Sequence, residues 1–267
     1  MSVSGRVLAA FLLAVATPPL ASATLTPHVD AAVGREVRIR LVVENRGDDP
    51  VRAVAPEIRY RLLERHPDPA PLLRAGARHG WEVRFPRPPT EGTDALVVLV
   101  RHRDTLGRDA VAPYATTVTI GDTAGPVRLE LTPAGGGRLS TVVARLTHDQ
   151  PAMVRGRLIT VLPDGYYTEP GSQAVEIPPG PGLEVPFVPQ RLRGPLETQI
   201  PVAALLQYEL GGVRRAAADN IVLRPGPPAA PPPVSPLVVG ALALAAVVAL
   251  LVFALRVSAR RRRSAAA

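Results

Sequence analysis

Alternation with a period of two is the strongest constraint in this sequence. In Glu36–Glu44 (EVRIRLVVE), Val37, Ile39, Leu41 and Val43 fall on one side of an extended chain, and Arg38 and Arg40 on the other. Ile58, Tyr60 and Leu62 alternate with Glu57, Arg59 and Arg61, and Trp81, Val83 and Phe85 alternate with Glu82 and Arg84. Leu96, Val98 and Val100 lie in a more continuous apolar run. The turns are legible too. Asn45-Arg46-Gly47-Asp48-Asp49-Pro50 is one, and Thr105-Leu106-Gly107-Arg108 is a hairpin candidate before a last strand near Thr116–Ile120. Short strands between Gly/Pro turns, with no long 3.6-period segment from residue 24 to 224, predict an all-β sandwich architecture.

The pattern repeats. Trp81–Phe85 has a counterpart in Leu183–Phe187, Pro50 in Pro151, and the turn at Gly107 in Gly211-Gly212, all about 100 positions apart and in the same order. Two tandem domains follow, residues 24–122 and 125–224, and each is long enough to bury a core of its own. The expected core of the first is Ile39, Leu41, Ile58, Tyr60, Trp81, Val83, Phe85, Val98 and Val100. That of the second is Leu129, Leu131, Val143, Leu158, Val161, Phe187, Leu206 and Val222. Cysteine is absent, so these cores hold without disulfide support.

Apolar segments flank this body. Residues 1–23 read as a signal peptide: Arg6, then the short apolar run Val7–Ala16, Pro18-Pro19, and Ala21-Ser22-Ala23 as a cleavage site. Residues 237–255 hold no charged or polar side chain, and at 1.5 Å per residue they reach about 28 Å, the thickness of a bilayer's hydrocarbon. Residues 256–267 follow with Arg256 and Arg260–Arg263, a basic tail that the positive-inside rule places in the cytoplasm. Residues 225–236 carry seven prolines, which predicts an extended stalk of roughly 37 Å. The expected topology is single-pass type I, in the plasma or inner membrane of a bacterial envelope. The body then lies in the periplasm or outside the cell. Ala241, Ala245 and Ala249 share one face of the span, which would allow a homodimer through the transmembrane helix.

The formal net charge of +8 invites a nucleic-acid reading, but its distribution argues against one. Arg6, Arg256 and Arg260–Arg263 account for six of the charges, which leaves +2 for everything between. Lysine is absent as well as cysteine, so thiolate metal sites, cysteine nucleophiles and lysine-based catalysis are excluded. The five histidines, His28, His66, His79, His102 and His148, form no HxH, HxxxH or HExxH spacing. No Gly-x-Ser-x-Gly elbow or EF-hand loop occurs, and Gly135-Gly136-Gly137 lacks the Lys-Ser/Thr of a phosphate cradle. No catalytic residue, cofactor or metal ligand is assigned. One basic cluster, Arg101, His102, Arg103 and Arg108, with Arg84 and Arg87 on the same edge, is a candidate edge for binding an acidic partner. Its other reading is a solvated edge strand that charge protects from aggregation.

The stretch Val42-Val43-Glu44-Asn45-Arg46-Gly47-Asp48 resembles bacterial immunoglobulin-like surface modules of the cell-adhesion-related type, with a later Pro-Gly turn and Tyr114 near the final strand. The second unit departs from it, having Thr147-His148-Asp149-Gln150-Pro151 in place of Asn-x-Gly-Asp. The resemblance implies two immunoglobulin-like sandwiches used as a spacer or binding module. The expected function is a non-enzymatic, membrane-anchored envelope protein that binds or scaffolds another envelope component. The alternative is an exported binder of a small ligand or a metal such as copper, with a small site between the sandwiches; a mature N-terminal amine with a histidine can bind Cu(II), but His28 is not at the first or second mature position.

Overall fold

The computed structural model describes residues 24–121, 125–134, 141–192 and 199–224. The signal peptide, stalk, span and tail inferred above lie outside these residues. The chain divides into two units, Met1–Gly226 and Pro227–Ala267, and every described residue belongs to the first. Among the described residues the secondary structure is entirely β, and no helix is long and apolar enough to cross a membrane.

The first half contains β1 (Leu25–Val33), β2 (Glu36–Asn45), β3 (Val51–Tyr60), β4 (Leu63–Arg65), β5 (Ala70–Leu73), β6 (Arg78–Pro86), β7 (Gly92–Arg103) and β8 (Asp109–Ile120). One sheet has the order β1-β2-β6. The other runs β4-β3-β7-β8, with β5 also pairing β3. All pairs are antiparallel. Alternation puts Val37, Ile39, Leu41 and Val43 of β2 against Ile58, Tyr60, Leu96, Val98 and Val100 of the facing sheet. The Tyr60 and Phe85 rings meet at 5.4 Å between centroids. Every core residue expected for this half is buried. Leu62 is the exception to its alternation: Arg61 turns the chain with a left-handed φ of 55°, so Leu62 sits in the β3–β4 turn, exposed to solvent.

The second half contains β9 (Arg128–Ala134), β10 (Thr141–Thr147), β11 (Val154–Val161), β12 (Tyr166–Tyr167), β13 (Ser172–Ile177), β14 (Leu183–Phe187), β15 (Gln190–Arg191), β16 (Ile200–Leu210) and β17 (Val213–Leu223). Its sheets are β9-β10-β14 and β13-β11-β16-β17, with β12-β15 as a small separate ladder. This is the strand order of the first half: β9, β10 and β14 take the places of β1, β2 and β6, and β13, β11, β16 and β17 those of β5, β3, β7 and β8. The sequence matches noted above fall where this order requires. Trp81–Phe85 lies in β6 and Leu183–Phe187 in β14, while Gly107 and Gly211-Gly212 turn the β7–β8 and β16–β17 hairpins.

Three expected core residues of this half are misplaced. Val143 faces outward between buried Val142 and Ala144, Val161 turns to the opposite side of its sheet, and Val222 is 49% exposed beside buried Leu223. Adjacent apolar pairs such as Val142-Val143 and Val222-Leu223 satisfy either phase of a period of two. Cross-strand partners decide: Val142 lies opposite Phe187, and Leu223 opposite Ile200.

Candidate functional site

β7 and β16 are buried on both faces, which is why their sequences read as continuous apolar runs. Their second faces meet each other. Ala115 of β8, with Ala95 and Val97 of β7, packs against Ala203 and Leu205 of β16, with Ile159, Val161 and Ala218 around them. The β3–β7–β8 sheet of one half is therefore stacked on the β11–β16–β17 sheet of the other, and small side chains let the backbones approach. Gly92 shows how close: with φ +143° it lies against the second half, where an added Cβ would stand 2.4 Å from the Arg214 carbonyl oxygen. Gly125, on the connection between halves, passes under the Tyr208 hydroxyl, 2.4 Å from where its Cβ would be, and Tyr208 accepts the Val127 N–H at 3.2 Å.

Polar groups close this seam. Asn220 of β17 accepts the Ala115 N–H through Oδ1 and donates to the Ala115 carbonyl through Nδ2, both at 2.7 Å. One side-chain amide thus covers the outward main chain of edge strand β8. Asp219, the preceding residue, accepts the Leu131 N–H of edge strand β9 at 2.7 Å. Asp94, buried in the first half, accepts a hydrogen bond from the Tyr60 hydroxyl at 3.3 Å and pairs with Arg61 at 3.4 Å and with Arg214 of the second half at 3.9 Å. Burial, then the Asp94 charge and hydrogen bond, push the Tyr60 hydroxyl pKa well above its ordinary value, so it remains a donor.

In the candidate basic edge the three arginines are half-exposed and each is paired with an acid. Arg101 bridges Glu57 at 3.4 Å and Asp164, on the second half, at 3.2 Å. Arg103 pairs with Asp109 at 3.0 Å, and Arg108 with Asp104 at 2.6 Å. His102 turns inward, buried, with its ring Nδ1 3.3 Å from the Val100 carbonyl. Burial lowers its pKa, against the opposing pull of the Val100 carbonyl and Asp104. Burial raises the Asp104 pKa, but the Arg108 N–H and guanidinium and the Leu106 N–H outweigh it and hold the carboxyl below its usual range. Strand β7, which carries Arg101, His102 and Arg103, is not an edge strand, since β3 and β8 flank it. Arg84 does not share the cluster's edge as expected. It belongs to β6 in the other sheet, where it pairs with Glu82 and Glu36, and Arg87 follows β6 to donate to the Gly34 carbonyl.

Among the described residues, Glu57, Glu64 and His66 bring three metal-ligating atoms within 4.8 Å of one another. Arg59 pairs with both carboxylates, and Arg101 adds a second guanidinium to Glu57. Two arginines thus already neutralise the two acids a dication would need. His28 lies elsewhere, 3.8 Å from Glu44. The residues that connect the halves, Asp94, Asp164 and Asn220, were not singled out in the sequence. Their only signal was a polar side chain within or beside a run that reads as strand.

No protein-family profile matches the chain, and no curated protein does. Solved structures similar to it include a transglutaminase from red sea bream, with 10% identity over 73% of this chain and 31% of that one and a TM-score of 0.26. Another is Escherichia coli alpha-2-macroglobulin activated by porcine elastase, with 14% identity, 78% and 22% coverage and a TM-score of 0.27. A third is the chaperone YadV, with 12% identity, 71% and 92% coverage and a TM-score of 0.24. The chain spans less than a third of the first two. Scores this low assign neither a fold family nor an activity.

Proposed function

We propose that this chain is a non-enzymatic, single-pass envelope protein. In this reading, two exported immunoglobulin-like sandwiches, residues 24–122 and 125–224, bind or scaffold another envelope component. The observation that carries it is the seam. Sheets stacked through Ala115, Ala203 and Leu205 and tied by Asn220 make the two halves one stiff body rather than beads on a linker. The sheet farthest from the seam in the first half presents mixed charge, with Arg38 and Arg84 on Glu82 and Arg84 on Glu36 at 3.4–3.9 Å. Such a body holds two surfaces at a fixed spacing, which is what a scaffold requires. The signal-peptide and stop-transfer patterns at the two ends supply the location.

The test uses the full chain in cells, with photo-crosslinking from the Arg101–Arg108 hairpin and protease added from outside. A body cleaved from outside, a protected basic tail and a discrete cross-linked envelope protein are expected. A chain that fractionates with the cytosol, or one that cross-links to nothing, would sink the proposal. The metal-binding alternative has one foothold, Glu57–Glu64–His66, where a dication must displace Arg59. Titration with zinc or copper that leaves the melting temperature unchanged removes it.

A further inference from the structure

The two three-stranded sheets end differently. In the first half, β6 pairs with β2 and with no other described strand. The Asn45 N–H donates to the Ala77 carbonyl at 3.0 Å, and the Arg46 N–H to the Thr24 carbonyl at 2.8 Å. Main-chain groups alternate sides along an antiparallel ladder, so odd residues of β2 bond toward β6 and even ones toward β1. On β6 this turns the N–H and carbonyl of Arg78, Gly80, Glu82 and Arg84 out of the sheet, and all four residues are exposed. In the second half, the Leu131 N–H leaves the ladder for Asp219, and the same alternation turns Glu184 and Pro186 of β14 outward. Pro186 has no N–H to offer a further strand, and its counterpart on β6 is Arg84.

Gly80 lies in the middle of the open edge, and no contact among the described residues requires a glycine there. Its φ is not left-handed, and an added Cβ would rest at ordinary contact distance, 3.8 Å from the Leu41 carbonyl oxygen. The matching Gly182 differs: it turns with φ +82°, and its Cβ would run into the Leu146 carbonyl. A glycine that weakens a strand without serving its own fold marks a close approach by another backbone. The residues around Gly80 are also self-complementary. In two copies of β6 placed antiparallel about a two-fold axis at Gly80, each Arg78 faces the other copy's Glu82, each His79 faces Trp81, and each Ala77 faces Val83. The neighbouring registers are worse. An axis at Trp81 sets Arg78 against Arg84, and one at Glu82 sets the two glutamates against each other. An axis at Val83 sets Gly80 against Pro86, which has no N–H, and one at His79 carries Glu82 past the start of the strand. Within one copy Arg78 reaches Glu44, which Arg46 also holds, and Glu82 meets Arg38 and Arg84 in exposed pairs that exchange partners at little cost.

We propose that the open edge of β6 is a self-association surface: two copies of this chain join their β1-β2-β6 sheets by antiparallel β6–β6 pairing, with the two-fold axis at Gly80. The two sheets then continue as one. The outward N–H and carbonyl groups of Arg78, Gly80 and Glu82 gain main-chain partners in place of water. The seam between the halves is untouched, because β6 contributes no residue to it. A join this short buries little surface, so covalent trapping is the measurement that sees it.

The chain has no cysteine, so single cysteines read the register directly. Arg78→Cys, Gly80→Cys, Glu82→Cys and Arg84→Cys are placed one at a time in the full chain in detergent, and disulfide-linked dimer is followed under oxidation. Two cysteines on the axis stand about 5.5 Å apart between Cα atoms, within disulfide reach, whereas two positions away they are about 13 Å out of step along the strand. Gly80→Cys should therefore cross-link at least about tenfold faster than the other three. With Gly80→Cys in place, Arg78→Glu should slow the reaction about fivefold, and adding Glu82→Arg should restore it. A maximum at another position overturns the proposal. So do equal rates at all four, the result expected of copies that meet only by collision or through residues 237–255. In cells, Gly80→Cys linked to a different protein in place of its own copy overturns it too. The unmodified chain decides even if a variant fails to fold: hydrogen exchange at Gly80 and Glu82 should slow as protein concentration rises, and exchange independent of concentration overturns the proposal.

Discussion

The two halves share a strand order but not a composition. The first fills its core with Ile39, Leu41, Ile58, Tyr60, Trp81 and Phe85. The second uses smaller groups at β10 and β17, where Val142, Ala144 and Ala217 are buried, and recovers bulk at Phe187, Leu206 and Tyr208. The first braces β3 with β4, whereas the second sets β12 and β15 apart as their own ladder. What is held constant is hydrogen-bonding geometry: a buried polar group where the second strand ends, Asn45 or His148, and apolar outward faces on the two sheets that meet. Packing tolerates exchange of apolar groups at similar volume, but a buried main-chain N–H or carbonyl needs its partner whichever residue supplies it.

The comparison breaks hardest at the seam. Leu205→Asp would bury an unpaired carboxylate between the halves and should cost about 3–5 kcal/mol. Urea unfolding should change with it from one transition to two, because each half keeps its own core and loses only the shared face. A single transition with the midpoint unchanged would mean that the seam does not couple the halves.

Asn220→Ala tests the polar closure of the same seam. It strips both partners from the Ala115 main chain on edge strand β8, an expected loss of about 1–3 kcal/mol in denaturant unfolding. Faster exchange should be confined to β8 and to the facing part of β17. Wild-type stability in Asn220→Ala would show that water satisfies Ala115 as well as the amide does.

Arg101→Ala should cost less, about 1 kcal/mol or below. Its side chain is half-exposed, and Arg59 still covers buried Glu57. The loss should shrink further in high salt, as expected of a screened pair reaching Asp164 across the halves. A salt-independent loss well above this would assign Arg101 a packing role in place of an electrostatic one.

The all-β architecture and the nine core residues named for the first half could be read from alternation, because Arg38, Arg40, Glu82 and Arg84 mark the solvent side; Val51, Val54, Ala70 and Leu73, buried on β3 and β5, carry no such marking. The seam could not be read in this way, although it left a trace. The unbroken runs Ala95–Val100 and Val202–Leu206 are what strands buried on both faces look like, and one chain cannot say what covers the second face. The pairing of the basic cluster was illegible for a related reason. Spacing brings Arg101, Arg103 and Arg108 together, but the acids that neutralise them include Glu57 on β3 and Asp164 in the other half, far away in sequence. His148 reads as a departure from the Asn45 pattern, yet both hold main-chain groups in matching places: Asn45 donates to the Leu73 carbonyl at the end of β5, and the His148 ring Nε2 lies 2.9 Å from the Ile177 carbonyl at the end of β13.

The smallest expected effect belongs to the residues whose strand phase was misread. Val222→Ser and Val143→Ser both change a side chain that points away from the second core, so each should alter stability by no more than about 0.5 kcal/mol. The phase is set by Ile200 opposite Leu223 and Phe187 opposite Val142. A one-residue slip would exchange the inward and outward sets along the whole strand. If the valines were the buried members, each serine would instead leave a hydroxyl inside an apolar layer, at a cost of about 1–3 kcal/mol. Thermal unfolding of the two variants separates these cases. A loss in Val222→Ser but not in Val143→Ser would place the register error in β17 alone and move the Asp219 and Asn220 contacts with it.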